Sequence, residues 1–207
     1  MQKQMGNASQ EAKMRLGAIG ENNVVLKLME HGWDAFNANC TIKNYKSVDI
    51  VCVNGDKKSI DKPWQPETAF IQVKTSFQTN IPAGFTIGQC LDKAYLQKNV
   101  MGPYVFVHVR QLSDMQFDYR YFIISRENLI ELLHQAHVYY VYGYHRDKKE
   151  GSDVDLRKNG VLLNSPAGLY VRWLEGKSDV ATKKHIAFVN PLNGVTTEGK
   201  WENIWNI

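Results

Sequence analysis

Two short apolar runs, Val48-Asp49-Ile50-Val51-Cys52-Val53 and Phe70-Ile71-Gln72-Val73-Lys74-Thr75, decide the fold of this chain. Both are rich in β-branched residues, which predicts two strands in or near the middle of a sheet. Each run nevertheless carries polar residues where burial would normally exclude them. Because side chains alternate between the two faces of a strand, Gln72 and Lys74 point to the face opposite Ile71 and Val73.

If these two strands are neighbours, a carboxylate, an amide and an ammonium converge on one face of the sheet. The convergence of Asp49, Gln72 and Lys74 has two interpretations. One is an edge-strand salt bridge between Asp49 and Lys74. The other is a metal-dependent phosphodiesterase site.

The composition is ordinary for a globular chain, with 207 residues, 43% hydrophobic and 22% charged, which is enough for one sizeable core. There is no apolar run long enough to cross a bilayer, and residues 1–4 lack the apolar segment of a signal peptide. We therefore expect a cytoplasmic protein with no membrane partner. The net charge of +4 permits nucleic-acid binding through a local patch without requiring it. The three cysteines form no C-x-x-C pair, which predicts neither a disulfide framework nor a structural zinc site.

The order of predicted elements in residues 1–135 is helix, three strands, helix, two strands and helix. This order indicates an α/β fold with a mixed central sheet flanked by helices. The helices are predicted over 9–31, 87–99 and 126–135, and the strands over 33–38, 48–53, 69–75, 104–109 and 119–124. Asn54-Gly55 predicts a turn that opens a projecting loop over 56–68, and 76–86 is predicted as a second loop.

Residues 136–207 are predicted to form a β-rich C-terminal extension that packs on the 1–135 core within one structural domain. Strands are expected over 139–144, 169–174 and 185–190, and Trp201 and Trp205 are expected to anchor the tail by packing. The tyrosines at 140, 142 and 144 would share one strand face, either as sheet packing or as a surface on which bases stack. His108 is expected to be a core histidine with satisfied hydrogen bonds.

An acidic residue lies on the apolar stripe of the first helix. Glu21, Val25 and Leu28 follow the i, i+4, i+7 spacing, so the carboxylate should face the sheet. Gly17 and Gly20 each cost about 1 kcal/mol of helix propensity and are typical of a helix whose backbone approaches another element closely. The alternative is a kink at 17–20 that leaves Glu21 solvated at the start of the helix proper.

Together these positions resemble the PD-(D/E)xK nuclease superfamily, which has the restriction-endonuclease-like fold. The resemblance covers roughly residues 17–131 and rests on an acid on the first helix, an aspartate on one strand and Glu-x-Lys or Gln-x-Lys on the next. The matching motifs are Gly17-Ala-Ile-Gly-Glu21, Ser47-Val-Asp49-Ile and Phe70-Ile-Gln72-Val-Lys74. Ser47 and Val48 stand where the eponymous proline is found, and Gln72 replaces the more usual glutamate.

The resemblance implies a magnesium-dependent endodeoxyribonuclease of the restriction or repair type, in which manganese can substitute. The implied catalytic residues are Glu21, Asp49, Gln72 and Lys74. The implied metal ligands are Asp49, the amide oxygen of Gln72, the main-chain carbonyl of Val73, and Glu21 directly or through water, with Lys74 orienting or deprotonating the attacking water. DNA is the implied partner, and a homodimer is plausible because cutting both strands usually needs two active sites.

Two other interpretations stay open on the residues alone. The first is a nuclease-fold module that has lost catalysis and binds nucleic acid or protein, which the substitution at Gln72 favours. The second is an unrelated α/β domain in which the polar residues form a structural ion-pair cluster. A large separation between Glu21 and Asp49 in the folded protein would establish the second.

Overall fold

The fold is described from a computed structural model of the chain. It covers residues 9–40, 48–62, 64–114, 116–144, 161–182 and 186–206. The helices are α1 (Gln10–Glu30), α2 (Ile87–Leu91), α3 (Lys93–Asn99), α4 (Arg126–Val138), α5 (Val161–Asn164) and α6 (Val171–Leu174). The strands are β1 (Asp34–Asn37), β2 (Ile50–Lys58), β3 (Pro66–Ser76), β4 (Asn80–Thr86), β5 (Tyr104–Ser113), β6 (Gln116–Ile124) and β7 (Pro166–Tyr170). Short 3-10 turns span Ala38–Cys40 and Trp201–Trp205, and a π-helical segment spans Tyr139–Tyr144.

The central sheet has five strands in the order β1-β2-β3-β5-β6. Strand β2 is antiparallel to both β1 and β3, β5 lies parallel to β3, and β6 is antiparallel to β5. The parallel pair requires a crossover connection, which contains α2 and α3. The predicted α/β fold with a mixed central sheet flanked by helices is confirmed.

Helix α1 covers one face of this sheet. Its buried residues Val24 and Leu28 belong to the same apolar cluster as Ile50, Ile71 and Val73. Because strand side chains alternate, the side chains of Gln72 and Lys74 point to the opposite face. Trp201 and Trp205 are buried in the α1-side cluster, so the prediction that they anchor the tail by packing is confirmed.

The ends of α1 follow the sequence signals. Ser9 is the N-cap, and its side chain accepts a hydrogen bond from the Ala12 amide. The helix ends at Glu30, and Gly32 has the positive φ of 79° that favours glycine after a helix. The predicted helix over 9–31 is therefore confirmed, and Glu21 lies well inside it rather than at its start.

The hairpin between β2 and β3 is longer than predicted, and the turn predicted at Asn54-Gly55 was wrong. Asn54 pairs with Glu67 inside the ladder, and the register shifts before Lys58 pairs with Pro66. The Asn54 side chain accepts a hydrogen bond from the Asp56 amide at 3.1 Å. This local hydrogen bond forms a bulge within the strand, because pairing with β3 continues on both sides of it.

The segment predicted as a loop over 76–86 contains β4, which pairs with β7 in a separate two-stranded sheet. Its partner lies far away in the sequence, so no local pattern reveals the pairing. The predicted helix over 87–99 is two helices, because Asp92 is extended between them and its carboxylate caps α3 by accepting from the Tyr95 amide at 3.0 Å.

The prediction of a β-rich C-terminal extension was wrong for the described part of 136–207, where β7 is the one strand of the two sheets. Residues 139–144 continue α4 as a π-helix, and the ring of Tyr139 stacks on Phe188 at 5.2 Å. The strand predicted over 169–174 ends at Tyr170. Of the strand predicted over 185–190, residue 185 lies outside the described residues, and Phe188 forms an isolated bridge with Asp179. The rings of Tyr139 and Trp173 both pack against Phe188, so these three segments contact one another in the folded protein.

Residues from the C-terminal part enter the apolar clusters on both faces of the central sheet. Leu169, Trp173 and Phe188 join the cluster on the side of α4, and Ile204 joins the cluster on the side of α1. In the described part of the chain, no helix is long and apolar enough to cross a membrane.

The two glycines of α1 should respond oppositely to alanine. A Cβ on Gly20 would overlap Thr75 Oγ1, whereas a Cβ on Gly17 would meet no atom within 4 Å. We expect Gly20→Ala to lower the free energy of unfolding by about 1–3 kcal/mol. Gly17→Ala should raise it by up to about 1 kcal/mol through helix propensity.

Urea denaturation of both variants measures this difference. Thr75→Ala introduced beside Gly20→Ala removes the overlapping oxygen and should recover part of the loss. Equal effects at the two glycines would show that α1 does not depend on close approach at Gly20.

Candidate active site

The four predicted catalytic residues come from three elements that meet at one end of β3. Glu21 lies in α1, Asp49 immediately precedes β2, and Gln72 and Lys74 lie in β3. Gln72 and Lys74 pair with Tyr104 and Phe106 of β5 in the parallel ladder. The end of the central sheet at which β2 starts thus carries all four side chains.

Hydrogen bonds of both its main chain and its side chain hold Asp49 in place. Its amide donates to the Ile71 carbonyl at 3.0 Å, and its carbonyl accepts from the Ala38 amide at 2.8 Å. The side-chain Oδ2 accepts from the Val73 amide at 2.8 Å. The carboxylate is therefore held beside the main chain between Gln72 and Lys74.

The polar main-chain groups of β3 alternate in direction. The Gln72 amide donates to the Pro103 carbonyl at 3.1 Å, so the N–H and C=O of residue 72 point towards β5. The N–H and C=O of Val73 point away from β5, and the N–H therefore reaches the Asp49 carboxylate. The Val73 carbonyl consequently lies on the Asp49 side of the strand, as the predicted ligand set requires.

Two asparagines connect the carboxylates, and sequence reasoning missed both. Asn37 Nδ2 donates to Glu21 Oε2 at 3.0 Å, and Asn39 Nδ2 donates to Asp49 Oδ1 at 3.1 Å. The Asn39 amide also donates to Asn37 Oδ1 at 2.8 Å, which couples the two side chains. The available signal was the Asn-x-Asn spacing that starts at the last residue of the first strand, since Asn37 pairs with Ile50 beside Asp49.

Glu21, Asp49 and Lys74 influence one another electrostatically. Burial raises the pKa of Glu21, and the negative charge of Asp49 adds to this effect, while the Asn37 hydrogen bond and Lys74 oppose it. Burial lowers the pKa of Lys74, against the attraction of Asp49 and Glu21. Hydrogen bonds through Asn37 and Asn39 also link Glu21 to Asp49, so the large separation that the unrelated-domain interpretation needed is not present.

The predicted alternative of an edge-strand salt bridge is not formed. Among the described residues, Lys74 forms no ion pair with a carboxylate. The ammonium instead lies beside β4, where a Cβ on Gly84 would be 3.6 Å from Nζ and 3.3 Å from Cε. Gly84 has a φ of 86°, which favours glycine, and any larger residue at this position would crowd the Lys74 side chain.

The oxygen atoms at this end of the sheet have the chemistry of a hard-cation site. Two carboxylates, the Gln72 amide and the Val73 carbonyl are the donor types that magnesium prefers. Asn39 Oδ1 is buried and has no hydrogen-bond partner among the described residues, so one further oxygen near Asp49 is unsatisfied. Where the structure describes the chain, no group of three or more His, Cys, Asp and Glu side chains could hold a metal. The donors beside Asp49 instead combine two carboxylates with neutral oxygens.

His108 and Tyr104 lie on the same face of the sheet as Lys74. His108 is buried as predicted, but its Nδ1 has no hydrogen-bond partner in the described part of the chain, so the expectation of full satisfaction was wrong. Burial raises the pKa of Tyr104, and the nearby charge of Asp49 raises it further. Tyr104 thus joins the residues at the site that sequence reasoning missed.

Comparison with known proteins adds no relative. No family model, no curated protein and no solved structure matches the chain.

Substitutions of the two neighbours of Glu21 should move its pKa in opposite directions. Asn37→Ala removes a hydrogen bond that favours the ionised carboxylate, so the pKa of Glu21 should rise. Asp49→Asn removes a nearby negative charge, so the pKa of Glu21 should fall. Carbon-13 NMR titration of the glutamate carboxyls measures both, with Glu21→Gln to assign the resonance. A shift in the same direction for both variants would contradict this arrangement of the three side chains.

Proposed function

We propose that the protein is a magnesium-dependent endodeoxyribonuclease with a restriction-endonuclease-like core. The observation that carries the proposal is the hydrogen bond from the Val73 amide to Asp49, which holds a carboxylate between Gln72 and Lys74. Asn37 donates a hydrogen bond to Glu21, which supplies a second carboxylate to the same end of the sheet. These are the residues that the Gln-x-Lys resemblance selects.

The order of elements supports the same proposal. An acid-bearing helix is followed by three antiparallel strands, a helical crossover and a strand parallel to the third. This arrangement puts the aspartate strand and the Gln-x-Lys strand side by side, as the resemblance implies. DNA as the substrate and a homodimer as the assembly belong to the proposal and follow from the resemblance.

Asp49, Gln72, the Val73 carbonyl and Glu21 would hold the cation. A bound divalent cation supplies charge neutralisation at the phosphate and an activated water. Asp49 is the principal candidate ligand, because one donor at each carboxylate oxygen leaves lone pairs for coordination. The neutral amide at Gln72 provides oxygen without charge, so cation binding should be weaker than at a glutamate.

Lys74 would act on the attacking water. Its lowered pKa, caused by burial, makes loss of the proton from Nζ easier than for an exposed lysine. The neutral amine can then accept a proton from water, and the ammonium can instead stabilise negative charge on the phosphate. Gly84 leaves the space in which the Nζ group lies.

Removal of the lysine should abolish cutting. We expect Lys74→Ala to lower the rate of plasmid nicking in magnesium or manganese at least about 100-fold, as for loss of a group that transfers protons. A chelator should stop the wild-type reaction. Lys98→Ala, which removes an ammonium from the last turn of α3, is the matched control and should cut at the wild-type rate.

No cutting by the wild-type protein with any of these cations, together with intact plasmid binding, would replace the proposal with the inactive binding module. Cutting that survives Lys74→Ala would place the activity elsewhere in the protein.

Restoration of the acid at position 72 should strengthen cation binding. Gln72→Glu adds a negative charge at the site, so the magnesium concentration for half-maximal binding should fall about fivefold or more, corresponding to about 1 kcal/mol. Isothermal titration calorimetry measures the affinity independently of cutting. Gln116→Glu adds the same charge at the far end of β6 and should leave it unchanged. An unchanged or weaker affinity for Gln72→Glu would count against Gln72 as a ligand.

A further inference from the structure

A row of apolar side chains crosses the first three strands on the same face as Gln72 and Lys74. Phe36 pairs with Val51, and Val51 pairs with Phe70. The neighbours of these residues along each strand are buried under α1, so the row points to the other face. Phe36 is 60% exposed and Phe70 is 48% exposed. We call Phe36, Val51 and Phe70 the aromatic row, after the two phenylalanines at its ends.

The aromatic row adjoins the candidate site. Phe70 precedes Gln72 by two residues in β3, and Val51 follows Asp49 by two residues at the start of β2. Neighbouring positions on one face of a strand are about 7 Å apart. A nucleotide with its phosphate at Asp49 and Gln72 would therefore have a base, its own or that of its neighbour, over Phe70.

The row is too small for a stable contact between two copies of the chain. A phenylalanine side chain offers about 200 Å², so exposures of 60% and 48% leave about 200 Å² of ring surface in total. A stable interface buries about 800 Å² on each partner. The next row along these strands is formed by Asp34, Val53 and Thr68. Its two outer residues, Asp34 and Thr68, are exposed and polar. A ligand with small flat apolar faces suits this surface better than a second protein.

Along this face, a cation and an apolar surface lie on opposite sides of Gln72. Lys74, on the far side of Gln72 from the row, has no ion pair among the described residues and can meet a phosphate. The row itself is uncharged, and its rings can meet bases. Aromatic side chains bind unpaired bases by stacking, whereas in a duplex the faces of the bases are already stacked on one another.

We infer that the substrate strand binds with unpaired bases, which stack on Phe36 and Phe70 while its backbone passes Asp49, Gln72 and Lys74. This inference rests on the proposed function and names its substrate class. The site acts on single-stranded or locally opened nucleic acid.

The test compares two probes of equal length, an oligothymidylate and an oligodeoxynucleotide that is abasic throughout. Binding is measured by fluorescence anisotropy in calcium, which takes the same oxygen ligands as magnesium, and gel electrophoresis checks that the strands stay intact. The wild-type protein should bind the base-bearing strand more tightly. Phe36→Ala and Phe70→Ala should each weaken that binding about 5- to 150-fold and leave the abasic strand unaffected.

Phe117→Ala is the matched control, because Phe117 is an aromatic residue on β6 that is 40% exposed and contacts Phe77 rather than the row. It should not change binding of either probe. Circular dichroism establishes that each variant is folded at the assay temperature.

Equal affinity for the two probes, or no effect of Phe36→Ala and Phe70→Ala, would overturn the inference. If Phe36→Ala or Phe70→Ala changes the oligomeric state of the protein in sedimentation velocity but does not change its binding to either probe, the inference is overturned as well. The row would then be an interface between copies of the chain. Plasmid nicking without base-dependent binding would overturn the inference and keep the nuclease. Base-dependent binding without cleavage of either the plasmid or the oligothymidylate in magnesium would support the inference and overturn the nuclease.

Discussion

The hydrogen bond between the Val73 amide and Asp49 Oδ2 organises the candidate site. Strand β2 starts at Ile50, so beyond this point the main chain of β3 has no strand partner on that side among the described residues. The carboxylate of Asp49 takes the place of the missing partner. A buried amide without an acceptor would cost about 1–3 kcal/mol. The same contact that satisfies the sheet edge therefore fixes a carboxylate between Gln72 and Lys74.

The site bears an electrostatic cost that the surrounding fold offsets only in part. Burial is the largest influence on the pKa of both Glu21 and Lys74, and in each case it disfavours the charged form. The hydrogen bond from Asn37 to Glu21 favours the ionised form of that carboxylate and opposes the effect of burial on its pKa. Perturbed ionisable groups gathered in this way are typical of functional sites. An ion-pair cluster that stabilises the fold would instead have its ammonium in contact with a carboxylate.

The position of the site follows from unequal coverage of the two sheet faces. Helix α1 and the C-terminal tryptophans cover one face, whereas α4 and the segment around β7 cover the β5 and β6 half of the other. On the β1, β2 and β3 half of that second face, the described part of the chain leaves Phe36 and Phe70 exposed. The polar residues of β3 lie at the border between the covered and the open half. Lys74 is buried enough that its pKa is lowered, and it remains next to a surface that a ligand can reach.

The sequence by itself determined the elements with strong local signals and the residue types of the site. Ser9 and Gly32 mark the ends of α1, and the alternation around Gln72 and Lys74 assigns their face, because helix capping and strand periodicity are properties of the local chain. Only the tertiary structure decided the bulge at Asn54, the pairing of β4 with β7 and the helical conformation of residues 139–144. It also decided the roles of Asn37 and Asn39, whose partners belong to other elements. Such features depend on contacts between distant parts of the chain, and no local pattern encodes which distant residues will meet.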